Sequence, residues 1–137
     1  LSLHAALPIS LMVLLGLAGP EGSAAHARAT AEALNRMQPR LLSALRVIPV
    51  PGTPLGRWDK EGAFRMLTER EAVRELRDLV AALELKGTVF RANHASNVVP
   101  VEARFPRDRE ALLASLDALL ASGRLDADRP APRPLWL

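Results

Sequence analysis

Ser10-Leu11-Met12-Val13-Leu14-Leu15-Gly16-Leu17-Ala18-Gly19-Pro20 is the stretch on which the fold turns. Ser10–Leu15 reads as a strand, continuously apolar from Leu11 to Leu15 and closed by glycine. Such runs belong to strands buried on both faces, hence to parallel sheets. Behind it, Ser23 is placed to cap a helix reaching about Met37, with Ala27, Ala31 and Leu34 on one side. Pro39 ends that helix. Leu42–Val50 reads as a second buried strand, running into Pro51-Gly52-Thr53-Pro54-Leu55. Two apolar strands joined by one helix make a βαβ unit, with parallel strands and a right-handed crossover.

The alternation continues downstream. Thr68-Glu69-Arg70-Glu71 is a capping box, in which hydroxyl and carboxylate satisfy each other's backbone donors. It opens a helix whose apolar stripe is Val73, Leu76, Leu79, Val80 and Leu83. Gly87 follows, then a short strand over Thr88–Ala92. After Pro106, Asp108 is placed to cap a last helix with Leu112, Leu113, Leu116, Leu119 and Leu120 inward, stopped by Gly123. Residues 124–137, with Pro130, Pro132 and Pro134, read as an irregular tail. Trp58 and Phe64 are expected to pack a loop onto the sheet, and His26 to lie on the surface.

The composition narrows the function classes. A chain of 137 residues, 49% hydrophobic, has the size of one domain. It contains no cysteine, which excludes a disulfide scaffold and any thiolate-held zinc or iron–sulfur site on this chain. The net charge of +3 comes from arginines interleaved with acids, as in Arg74-Glu75-Leu76-Arg77-Asp78. A phosphate-tracking surface shows a block or one-sided stripe, so this pattern argues against nucleic acid. The aromatic content of 4% leaves few stacking platforms for bases.

Residues 1–10 lack an initiator methionine and any charge, and read as a translated sequencing adapter preceding a truncated reading frame. A second reading makes Leu11–Gly19 the apolar region of a signal peptide, with Ala24–Ala27 as the cleavage zone, although no basic residue precedes Arg28. A membrane span is excluded here, since the run has about half of the roughly 20 apolar residues required.

Three motifs carry a resemblance. Leu14-Leu15-Gly16-Leu17-Ala18-Gly19-Pro20-Glu21 and Val47-Ile48-Pro49-Val50-Pro51-Gly52-Thr53-Pro54-Leu55, separated by one helix, resemble the fifth and sixth strands of a radical S-adenosylmethionine enzyme barrel. The group in question is the iron–sulfur oxidoreductases related to oxygen-independent coproporphyrinogen oxidase. Thr88-Val89-Phe90-Arg91-Ala92-Asn93-His94-Ala95-Ser96-Asn97, followed by Pro100 and Pro106-Arg107-Asp108, resembles the extension after that barrel. The implied fold is α/β: the C-terminal part of a parallel (βα) partial barrel over residues 11–60, then a mixed helix–strand extension over 61–123. The implied compartment is the cytoplasm, and the implied partner is the missing N-terminal half of the barrel.

The resemblance also implies a site. Ligands of parallel barrels lie at the C-terminal strand ends. Leu15, Gly16, Leu17 and Gly19 at one strand end, and Val50, Gly52 and Thr53 at the next, would face S-adenosylmethionine, with Ile48 adding apolar contact. Glycine there permits positive φ and close backbone approach; the plain alternative is an ordinary strand-to-helix turn. Arg91, Asn93, His94 and Asn97, with Ser96, could orient a small-molecule or peptide substrate, or could cap their own turn. The family's 4Fe–4S cluster needs a C-x-x-x-C-x-x-C loop, and no cysteine is present. The chain alone is therefore expected to be inert, with reductive radical chemistry left to the parent. Two other classes stay open: a secreted small α/β binding protein, and a basic non-catalytic adaptor.

Overall fold

The computed structural model describes residues 9–125. Of residues 1–10, read above as adapter, 1–8 lie outside the described part and Ser10 begins a strand; of residues 124–137, read as a tail, 126–137 lie outside it. The protein is α/β, with a four-stranded mixed open sheet and four helices. β1 (Ser10–Leu15) and β2 (Leu41–Arg46) are parallel and in register from Ser10↔Leu41 to Leu15↔Arg46. β3 (Thr88–Arg91) runs parallel to β2, and β4 (Glu102–Phe105) returns antiparallel to β3. The spatial order β1-β2-β3-β4 is the sequence order.

Helix α1 (Gly19–Met37) joins β1 to β2 and begins at Gly19, ahead of the expected Ser23 cap. Pro20 sits in its first turn, where a missing N–H costs nothing and φ is already helical. Gln38 closes α1 in the left-handed conformation, its N–H donating to Leu34 O at 2.8 Å. Leu11–Ala27, read above as a possible leader, are β1, its turn and the first half of α1, and Ala27 is buried.

β2 stops at Arg46, short of the expected Val50. Its last ladder partner on β1 is Leu15, whose carbonyl also accepts the Val47 N–H at 2.9 Å. Beyond that, Pro49 and Pro51 have no N–H with which to extend a ladder. α2 (Pro54–Glu61) occupies a stretch taken as loop: Thr53 Oγ1 accepts the Gly56 N–H at 3.1 Å as its cap. Trp58 lies on α2 at 53% exposure, so it packs no loop onto the sheet.

α3 (Glu69–Ala82) opens on the expected capping box, with Glu71 N–H to Thr68 Oγ1 at 3.2 Å and Thr68 N–H to Glu71 Oε2 at 2.8 Å. α4 (Arg109–Ala121) buries only Leu116; Leu112, Leu113, Leu119 and Leu120 stay half-buried against α3 and β4. Asp108 precedes α4 without capping it. Its carboxylate instead accepts the Arg104 N–H of β4 at 2.8 Å and pairs with Arg107 at 2.7 Å.

Burial is one-sided, not two-sided as the apolar runs suggested. Leu15, Leu42, Ala44, Phe90, Ala103 and Phe105 face Ala31 and Leu34 of α1 and Val73, Leu76 and Val80 of α3 in one core. The alternate residues face away: Met12 is 66% exposed, Leu14 38% and Leu41 46%. By register they share that face with Leu45 and Val89, while Arg91, Glu102 and Arg104 continue it as charge.

Phe90 is fully buried and stacks at 5.5 Å on Phe105. Phe90→Ala should lower unfolding free energy by about 3–5 kcal/mol in a denaturant titration. A loss below about 1 kcal/mol would place the core elsewhere.

Candidate functional site

The expected cofactor turns follow adjacent parallel strands, the first directly after β1 and the second four to seven residues past the end of β2. Gly16 follows β1 with φ +84°, and a Cβ there would lie 3.4 Å from Val47 Cγ1, on the segment leaving β2. The same Cβ would lie 3.1 Å from Leu67 Cγ, so the conformation calls for glycine and any side chain would crowd Leu67. Leu15 faces the core at 4% exposure. Gly19, φ +67°, closes a tight turn by donating its N–H to Gly16 O at 3.1 Å. Leu17, at 48% exposure, projects from this turn.

The second turn is more open. Val50 O accepts both the N–H of Thr53 at 3.2 Å and its hydroxyl at 2.7 Å. Thr53 is thus spent on local structure, as turn closure and as the cap of α2. Gly52 has φ +86°, and an added Cβ would meet nothing within 4 Å. Of the seven expected cofactor residues, Leu17 and Gly52 are the ones left facing outward.

The Asn93–Asn97 run folds largely onto itself. His94 Nδ1 accepts the Ser96 N–H at 3.1 Å and lies 2.9 Å from the Ser96 hydroxyl, so the ring proton sits on Nε2. Ser96 is buried while His94 is exposed. Asn93 Nδ2 donates to Glu102 Oε1 at 3.0 Å, and Arg91 Nε lies 3.6 Å from the same oxygen. Asn97 Nδ2 donates to Ala44 O at 2.8 Å, beyond the last β2–β3 pair at Ser43↔Arg91. Its amide thus takes the place of a strand neighbour and fastens the β3–β4 connection to the end of β2. Asn97 and Leu15 consequently line one small cavity of about 10 Å³, together with Arg46. Arg91 and Asn93 point instead to the Glu102 side of the hairpin.

Two polar clusters at this edge were not foreseen. Arg46 is 3% exposed, and its Nη2 donates to Leu67 O. Burial pulls its guanidinium below the usual arginine range, opposed by the carboxylates of Glu69 and Glu71. Among the described residues, Arg46 Nε and Nη1 and Asn97 Oδ1 have no hydrogen-bond partner. The second cluster centres on Glu75, 1% exposed, which accepts the Gly16 N–H at 2.9 Å and the Ser23 hydroxyl. His26 Nδ1 lies 2.9 Å from the same carboxylate, so His26 is a partner of the core and not a free surface residue. A signal existed: Glu75 falls on the apolar stripe of α3, four residues before Leu79.

A cleft of about 640 Å³ opens between the starts of α1 and α3 and contains none of the expected site residues. Pro20, Ser23, Arg65, Arg70 and Arg74 line it, with Arg65 held by Glu71 at 2.8 Å. Among the described residues, no three His, Asp or Glu side chains gather as metal ligands, and no helix is long and apolar enough to cross a membrane. No family model, curated protein or solved structure matches the chain.

The Arg107 guanidinium, helped by the Arg104 N–H, holds the Asp108 carboxyl at about 2, below its ordinary 3.8. A lowered native value means this clamp adds stability above pH about 4 and loses it as pH falls toward 2. Carbon-detected NMR should show Asp108 titrating near pH 2, with the Arg104 amide shift following it. A midpoint at the ordinary value would dissolve the clamp.

Proposed function

We propose that the chain forms the C-terminal wall of a radical S-adenosylmethionine partial barrel, lining part of its cofactor and substrate cavity. The observation that carries this reading is the winding of the sheet. β1, β2 and β3 lie in sequence order, with α1 and α3 on the same face. Successive crossovers in one direction generate a singly wound sheet, the kind that curls into a barrel; a doubly wound sheet reverses direction and covers both faces. The face of β1 and β2 that the described residues leave uncovered, apolar through Met12, Leu14, Leu41 and Leu45, then corresponds to a barrel interior.

The residues present do not fit an iron–sulfur cluster, since the chain has no cysteine. No cleavage step is assigned to this chain; the cluster belongs to the preceding barrel half, which is its intramolecular partner in this reading. Toward S-adenosylmethionine the fit is partial. Leu17 offers an apolar surface just past the end of β1, and Gly52 an approachable backbone in the turn before α2, six residues past β2. When bound, S-adenosylmethionine supplies the sulfonium–carbon bond that the parent breaks by one-electron reduction. The roles of Leu15, Gly16, Gly19, Val50 and Thr53 are to shape these two turns from within. Arg91, Asn93 and His94 are the groups of the extension that remain accessible to a small or peptide substrate.

DNA sequence upstream of Leu1 should encode a C-x-x-x-C-x-x-C loop in frame, and the whole protein, purified without oxygen, should reductively cleave S-adenosylmethionine. In that protein Gly52→Val should weaken S-adenosylmethionine binding about tenfold or more, because the side chain fills the approach to the β2 turn. An in-frame start just upstream with no cysteine loop, or unchanged affinity in Gly52→Val, would reject the reading.

A further inference from the structure

Glu75 lies in the apolar face of α3 between Ala72 and Leu79, with 1% of its surface exposed. Among the described residues the only basic side chain within 4 Å of its carboxylate is His26. Placing a carboxylate there is costly, and a well-packed apolar side chain of similar volume would complete the stripe without that cost. What only an oxygen acceptor supplies is a partner for the buried N–H of Gly16. That N–H belongs to a residue with φ +84° whose carbonyl in turn receives the Gly19 N–H at 3.1 Å.

We propose that Glu75 is the positioning residue of the Gly16–Gly19 turn: it fixes the turn through the Gly16 N–H, while Ser23 and His26 of α1 orient its carboxylate. Three elements are tied at one point. Oε1 holds the turn that follows β1 and meets His26, and Oε2 holds Ser23, so α3 sets where β1 ends and where α1 begins. A glutamine at this position keeps one carbonyl oxygen for Gly16, and its amide can donate to a rotated Ser23 hydroxyl. A methionine fills the space and offers no acceptor of comparable strength. The consequence for ligand affinity rests on the reading above that this turn faces S-adenosylmethionine; the hold on the turn does not.

Amide hydrogen exchange, measured by NMR on the 137-residue chain, tests the hold directly. In the unaltered chain, Gly16 should exchange at least about tenfold more slowly than exposed Leu17 and Ala18, as a charge-assisted hydrogen bond requires. Glu75→Met should accelerate Gly16 about tenfold more than Leu79 and Val80 in α3, and Glu75→Gln should restore most of the protection. Equal acceleration at Gly16 and Leu79 would show general loosening and overturn the proposal. Should Glu75→Met fail to fold, the unaltered chain decides: Gly16 exchanging as fast as Leu17 overturns it. Equilibrium dialysis with S-adenosylmethionine on the whole protein separates the two readings. Glu75→Met should raise Kd about tenfold, and Glu75→Gln much less. Lost Gly16 protection with unmoved Kd would support the hold and overturn the reading that this turn faces S-adenosylmethionine.

Discussion

Parallel pairing of β1 with β2 requires the chain to leave the top of one strand and re-enter at the bottom of the next. A helix makes that return, and the right-handed twist of strands fixes the side on which it lies. Because β3 joins on the far edge of β2, the second return runs in the same direction and places α3 beside α1. One face of the sheet is then buried against both helices, and among the described residues Met12, Leu14 and Leu41 stay exposed on the other. The remaining features follow from that asymmetry: the alternating burial of β1, the small inward alanines of α1, and the gathering of three connecting segments at one edge.

Period and punctuation were legible in the sequence where local chemistry decides. Thr68 and Glu71 make their reciprocal bonds, and Ser10–Leu15 and Thr88–Arg91 form strands, because capping and β-branched or apolar runs act over a few residues. Misreadings arose where a distant partner decides. Ser23 looked like a cap, but its hydroxyl is drawn to Glu75, 52 positions away, and the helix begins instead at Gly19, with Pro20 in its first turn. The apolar run of β1 suggested two-sided burial, yet the described residues cover only one face of it. β4 carries a two-residue alternation, with Ala103 and Phe105 inward, in a segment too short to stand out.

The same distinction governs the candidate site. Glycine positions were legible, because Gly16, Gly19 and Gly52 all take positive φ as strand-end turns demand. The polar run was less so. Asn97 and Ser96 look like groups free to meet a substrate, but one is spent on Ala44 O and the other on His94. Arg46 and Glu75, the two charged groups buried at this edge, carried no motif. They sit at inward positions of β2 and α3, where any charge has to find its partners inside the protein. A charged residue at a core-facing position of an otherwise apolar element is therefore a better pointer to the organising polar contacts than the polar run itself.

The central claim is that the exposed face of β1 and β2 is a cavity wall closed by another part of the same protein. A thiol at Met12 reports on that face directly, because the chain has no cysteine of its own. Maleimide labelling of Met12→Cys, read by peptide mass spectrometry, should be fast in the isolated chain and at least about tenfold slower in the whole protein. Val13→Cys, on the buried side, should label slowly in both. Equal rates at position 12 in the two proteins would contradict the claim.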